Sequence, residues 1–135
     1  MTTITPIDHV NPDHLPDPRR HGYSTATIAP AGARIAILSG QGAQDDTGAL
    51  APDFAGQVRQ AYDNLAAVLA AIGATPAQVM KLTVYVVDHD ASKLATLTEG
   101  VVRIFGDSLP AQTLVPVPAL ALPGMLFEVD AIAAL

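Results

Sequence analysis

Residues 53–88, DFAGQVRQAYDNLAAVLAAIGATPAQVMKLTVYVVD, decide the fold, because they hold a helix, its stop, a short turn and a strand in succession. Phe54, Val58, Ala61, Tyr62, Leu65, Val68, Leu69 and Ile72 recur at three- and four-residue steps, which places them on one stripe of a helix. Gln57, Arg59, Gln60, Asp63 and Asn64 fill the opposite face. Asp53 suits the N-cap, since its carboxylate can accept from free amides of the first turn, and Gly73 can take the left-handed conformation that ends a helix. Thr75-Pro76-Ala77-Gln78 has the spacing of a capping box with proline at the first helical position, predicting one short turn. From Val79 to Val87 the chain is β-branched and aromatic. Leu82, Val84 and Val86 alternate with Lys81, Thr83 and Tyr85, so this strand offers one apolar face to the helix and one mixed face.

Working outward, the 135 residues fit a single domain, with residues 1–20 as an arm. Three Phe, three Tyr and no Trp leave the core to Ala, Val, Leu and Ile. No apolar run approaches the ~20 residues of a membrane span, and the N-terminus lacks the basic and apolar regions of a secretory signal. A soluble cytoplasmic protein is expected. The absence of cysteine excludes disulfides, thiolate catalysis and thiolate metal sites. A net charge of −6 with seven scattered basic residues offers no patch for phosphates, so nucleic acid is not an expected partner.

Prolines at positions 6, 12, 16 and 18 make residues 1–20 extended. His9, His14 and His21 match no metal-ligand spacing, and no metal is expected. Residues 23–28 and 34–39 are β-rich runs joined by Ala29-Pro30-Ala31-Gly32-Ala33, which predicts a hairpin. Ser39-Gly40-Gln41-Gly42 closes the second run. It is too weak for a phosphate loop, because acidic residues and no lysine follow. Asp90 is the predicted cap of a second helix that buries Leu94, Leu97, Val101, Ile104 and Phe105 and stops at Gly106. Asp88-His89-Asp90 reads as a surface turn.

Residues 110–118 form a strand whose prolines confine it to an edge or an interface. In the last strand Phe127, Val129 and Ala131 alternate with Glu128, Asp130 and Ile132. Two carboxylates thus share one face of an otherwise apolar strand, a pattern that fits equally a proton acceptor near neutral pH and a strand with one solvated face. The order β-β-α-β-α-β-β predicts an α+β fold, a mixed sheet with two helices on one face. The other face carries Thr83 and Tyr85 among apolar neighbours, and self-association is expected to cover it.

Ser39-Gly40-Gln41, Gln57-Val58-Arg59-Gln60, Asp63-Asn64-Leu65, Gly73, residues 81–85 (KLTVY), Asp88, Pro110-Ala111 and residues 127–133 (FEVDAIA) together resemble the Rid family of reactive intermediate deaminases, the YjgF-like proteins. The resemblance runs in register from about Gly22 to the C-terminus. It implies a chorismate-mutase-like α+β fold, a homotrimer, and sites for a small-molecule substrate in clefts between subunits. It also implies hydrolysis of enamines and imines to carbonyl compounds and ammonia, without metal or organic cofactor. Tyr23 matches the tyrosine of a Gly-Pro-Tyr-Ser segment, although His21-Gly22 stands where Gly-Pro is usual. Ser39 matches the serine of Ser-Gly-Gln, and Glu128 the glutamate that resembles a water-positioning group.

The main departure is Gln112. Deaminating members carry Pro-Ala-Arg-Ser, whose arginine grips the substrate carboxylate, where this chain reads Pro-Ala-Gln-Thr. A hydrogen bond to a charged group is worth roughly 1.5–3 kcal/mol, so loss of the guanidinium weakens carboxylate binding and predicts a neutral or atypical substrate, unless Arg19, Arg20 or Arg103 reaches in from a neighbouring subunit. The resemblance thus nominates Glu128 and Tyr23 for catalysis, and Gln112, Thr113, Leu114, Ser39 and Gly40 for substrate binding. Two alternatives remain open: a binding protein of the same fold without deaminase chemistry, and a pathway enzyme using the cleft for another acid–base step.

Overall fold

The computed structural model describes residues 6–135, so the first five residues of the expected arm lie outside it. Strands β3 (Ile35–Gly42), β4 (Val79–Val87), β5 (Ala111–Val117) and β6 (Phe127–Ala134) form one sheet in the order β3-β6-β4-β5. β6 runs antiparallel to both its neighbours, and β4 and β5 are parallel. The architecture is α+β with a mixed sheet and two helices, α1 (Phe54–Ala71) and α2 (Leu94–Phe105). Each helix connects strands that point the same way, β3 to β4 and β4 to β5, and right-handed crossovers then carry both to one sheet face.

The predicted boundaries of α1 hold. Asp53 accepts from the Gly56 amide at 3.2 Å, and Gly73 sits beyond the end at φ 75°. Thr75 and Gln78 form the predicted capping box. Leu82, Val84 and Val86 are buried beneath the helices, with Val58, Tyr62, Leu65 and Leu69 above them. Phe127 lies at the centre, its ring edge-on to Phe54 at 6.2 Å and tilted against Tyr62 at 5.7 Å. As expected of a proline-bearing strand, β5 is an edge.

The hairpin between residues 23–28 and 34–39 does not form. β2 (Ala26–Ile28) instead pairs with β1 (Asp8–Val10), inside the segment read as an extended arm. β3 pairs with β6, and Arg34 and Leu135 exchange both backbone hydrogen bonds at 2.8 and 2.7 Å. The chain does turn between them, with the Ala33 amide donating to the Pro30 carbonyl at 3.2 Å. Turn chemistry specifies a reversal, however, and not a partner. β6 offers β3 a ladder of six register pairs that buries Leu38 against the helices, whereas β2 is only three residues long.

Three local readings also change. β3 runs on past Ser39 to Gly42 because a one-residue bulge, between the Leu38–Ala131 and Gln41–Val129 pairs, lets the ladder continue. Asp90 caps a 3₁₀ turn, Ala91–Lys93, by accepting from the Ser92 amide, and Lys93 occupies the N-cap position of α2. Gln57, assigned to the polar face of α1, is only 2% exposed. Its Nε2 donates to the carbonyls of Ala51 and Gly124, both at 3.0 Å, and its Oε1 accepts from the Leu126 amide at 2.8 Å.

Candidate functional site

Glu128 is the second residue of β6. Since Phe127, Val129 and Ala131 are buried against the helices, the pleat turns Glu128, Asp130 and Ile132 to the open sheet face. Ser39 and Gly40 lie in the bulge of β3, and there the need for glycine is steric. A Cβ built on Gly40 would stand 2.5 Å from Glu128 Oε1 and 2.7 Å from its Cδ, so the carboxylate occupies the space that any other residue would fill. Sequence reasoning nominated both residues but not this contact.

The polar residues of α1 hold the flanking loops. Gln57 ties the first turns of the helix to the backbone at Gly124 and Leu126, just before Glu128. Asn64 Nδ2 donates to the carbonyls of Gly42 at 2.9 Å and Gln44 at 2.8 Å, just after Gly40. Their signal was present in the sequence, as amides at i and i+7 on a helix, but it is the same signal that a solvated face gives.

Beside Glu128 on the open face, Tyr85 donates from its hydroxyl to Asp130 Oδ2 at 2.9 Å. That hydrogen bond, with desolvation and the negative charges of Asp130 and Glu128 adding, raises the phenol above its ordinary value. Asp130 is thereby engaged, and Glu128 is the carboxylate of this face with no side-chain partner given to it among the described residues.

The remaining nominated residues gather elsewhere. Tyr23, Gln112 and Thr113 line a cleft of about 350 Å³ at the other edge of the sheet, together with Ser24, Lys81 and the arm prolines Pro16 and Pro18. The arm is fixed there by Ser24, whose amide donates to the Pro110 carbonyl at 2.9 Å and whose Oγ donates to the Leu109 carbonyl at 2.6 Å. Lys81 Nζ donates to Thr113 Oγ1 at 2.6 Å. The Oε1 of Gln112 is buried without a donor, and Leu114 packs against the core without lining this cleft.

Two of the three candidate arginines are occupied within their own chain. Arg19 makes a two-pronged pair with Asp17, at 2.9 and 2.8 Å, which holds the Asp17 carboxyl at about 2. Arg103 binds Asp63 at 2.8 Å and the Arg59 carbonyl at 3.1 Å, joining the two helices. Arg20 makes no side-chain hydrogen bond or ion pair among the described residues. Among the described residues no group of three His, Asp or Glu side chains is placed to hold a metal ion, and no helix is long and apolar enough to cross a membrane.

The nominated residues therefore fall into two separate groups. Glu128 lies opposite Tyr85, whereas Lys81 is four residues earlier on β4, about 13 Å along a strand rising ~3.3 Å per residue. Within a single chain the two groups thus lie apart on the sheet.

The sequence model of the family described as Endoribonuclease L-PSP matches residues 16–135. The chain belongs to the Rid, or YjgF-like, family. Rid protein YyfB from Yersinia pestis is 34% identical, with a TM-score of 0.91 over 97% of this chain and 100% of that one. RidA from the Antarctic bacterium Psychrobacter sp. PAMC 21119 is 31% identical, with a TM-score of 0.69 over 84% of this chain and 88% of its own. Escherichia coli TdcF, solved with bound serine, is 26% identical, with a TM-score of 0.68 over 84% of this chain and 87% of that one. A RutC family protein of Pyrococcus horikoshii is 37% identical over 81 residues, which are 60% of this chain and 62% of that relative's length. The mixed sheet with its two helices is the chorismate-mutase-like α+β fold of these Rid relatives.

Proposed function

We propose that the protein hydrolyses a small imine or enamine to a carbonyl compound and ammonia, in a cleft that neighbouring copies complete. The observation that carries this reading is the Glu128 carboxylate seated over Gly40 at one sheet edge, while Tyr23, Gln112 and Thr113 line a cleft at the other. When complementary surfaces lie at opposite edges, copies associate head to tail, and such contacts form a ring where the rotation between copies closes. The exposed Ile35 and Ile37, 55% and 72% accessible on the open face, favour burial by another copy. The family resemblance favours a homotrimer for that ring.

In the assembled cleft Glu128 orients a water and accepts its proton as the oxygen bonds to the imine carbon. With the imine protonated, Glu128 passes that proton to the nitrogen of the resulting carbinolamine and takes the hydroxyl proton as the carbon–nitrogen bond breaks, so that the carbonyl compound forms, ammonia leaves, and the proton on Glu128 goes to ammonia or water. Tyr23 supplies a hydroxyl and a ring against the substrate. The serine bound by TdcF supports a ligand of amino-acid size. Gln112 presents no positive charge, so the cleft takes a neutral imine unless another cation stands in for the family's arginine.

The test is hydrolysis of freshly generated 2-iminopropanoate and of a neutral imine by wild type, Glu128→Gln and Gln112→Arg. Glu128→Gln is expected to lower turnover by about 10²–10⁴-fold, the usual range for a positioned acid–base group, and to leave the melting temperature unchanged. Wild-type turnover of one imine, with none by Glu128→Gln, supports the reading. No acceleration of either imine removes it and leaves a binding role for the cleft.

A further inference from the structure

We infer that Lys81 and Thr113 form the anion-binding pair of the Tyr23 cleft, so that the substrate is an imine carrying a carboxylate. Lys81 stands on the mixed face of β4, and the parallel register with β5 brings its ammonium to the Thr113 hydroxyl at 2.6 Å. That bond uses one of the three ammonium protons and an acceptor lone pair of Thr113. Two ammonium donors and the threonine's own O–H are left for a ligand. Both residues line the cleft with Tyr23.

The charge of Lys81 is not neutralised internally. The two ion pairs among the described residues are Arg19 with Asp17 and Arg103 with Asp63. Asp130 lies opposite Thr83, two residues from Lys81 on β4, and is engaged by the Tyr85 hydroxyl. An ammonium with no carboxylate within 4.0 Å, beside a hydroxyl donor in a concave site, is suited to an oxyanion. Gln112 lines the same cleft but brings no charge, so the ammonium of Lys81 is the cation there. Arg19 and Arg103 are committed to other partners. With glutamine at 112, the cation of the cleft is then the Lys81 ammonium on β4, a point charge and not a planar two-pronged donor.

This inference rests on the Tyr23 cleft being one half of the substrate site, and its test reads binding without turnover. Titration calorimetry with 2-oxobutanoate, and with its uncharged amide, compares wild type, Lys81→Met and Lys81→Arg. Wild type is expected to prefer the acid. Lys81→Met should weaken the acid by about tenfold to a hundredfold, the range for one lost charge-assisted hydrogen bond, and leave the amide nearly unchanged. Lys81→Arg should keep the preference, which shows that charge and not a folding defect is being read. Wild-type affinity for the acid should also fall as salt is raised. Equal affinities of wild type and Lys81→Met for the acid overturn the inference, as does a wild type that binds the acid no better than the amide. Acid binding through Lys81 without hydrolysis of any imine refutes the deaminase reading alone, while turnover that is indifferent to Lys81 refutes this inference alone.

Discussion

The two faces of β6 are built from alternate residues of one eight-residue strand, and they do different work. Toward the helices, Phe127, Val129, Ala131 and Ala133 are at most 1% exposed and close the core. Toward the open side, Glu128, Asp130 and Ile132 are half-buried and share their face with Tyr85 and the bulged glycine of β3. Because the strand period is two, a substitution on one face need not disturb the other. Stability can thus be held on one side while chemistry is arranged on the other.

The largest expected effect breaks the helix-facing side. Phe127→Ala removes a ring packed between Phe54 and Tyr62 and should destabilise the fold by about 3–5 kcal/mol, read from the midpoint of denaturant unfolding. Gln57→Ala tests the clamp between the faces. It leaves two carbonyls and one amide without the partner they have now, and should cost about 1–3 kcal/mol, with faster hydrogen exchange at the Leu126 amide. Exchange at Leu126 that is unaltered by Gln57→Ala contradicts the clamp.

Gly40→Ala acts on the open face alone. The new methyl group displaces the flexible end of Glu128, so stability should change little while turnover falls by up to about a hundredfold, the effect of an ångström-scale misplacement. A fold loss as large as that of Phe127→Ala would show that Gly40 serves the core.

The smallest effect is on the pH dependence. Tyr85 is raised above its ordinary 10.0 by Asp130 first, then by desolvation and by the charges of Asp130 and Glu128. Above that value the unfolded chain releases a proton that the folded chain retains, so stability present at neutral pH declines as pH rises from about 10 through the raised value. Tyr85→Phe should flatten that alkaline decline without abolishing it, because burial also raises Tyr62. Denaturation midpoints between neutral and alkaline pH check this.

What was legible in the sequence follows the same division. The helix-facing side is written in periodicity, so α1, β4 and the inward residues of β6 are read directly, and the prolines of β5 announce an edge. Strand pairing is not local, and Pro30 and Gly32 mark the turn between β2 and β3 without saying that each pairs elsewhere. Gln57 and Asn64 look like any polar residues on an amphipathic helix, since periodicity counts polarity and not the backbone groups a side chain reaches. Glu128 and Tyr23 stood out through their resemblance to family motifs. Lys81 did not, because its neighbour Thr113 is 32 residues away and only the parallel register of β4 and β5 joins them.

The central claim is that Glu128 of one copy works with Tyr23 of another, and subunit mixing tests it most directly. Glu128→Gln and Tyr23→Ala, each of low activity alone, are combined in equal amounts, dissociated and reassembled, and imine hydrolysis is measured. In randomly assembled rings each site draws its two halves from different copies, so about a quarter of the sites recover both intact residues and about a quarter of wild-type activity returns. Activity that stays at the level of the separate variants contradicts the divided site.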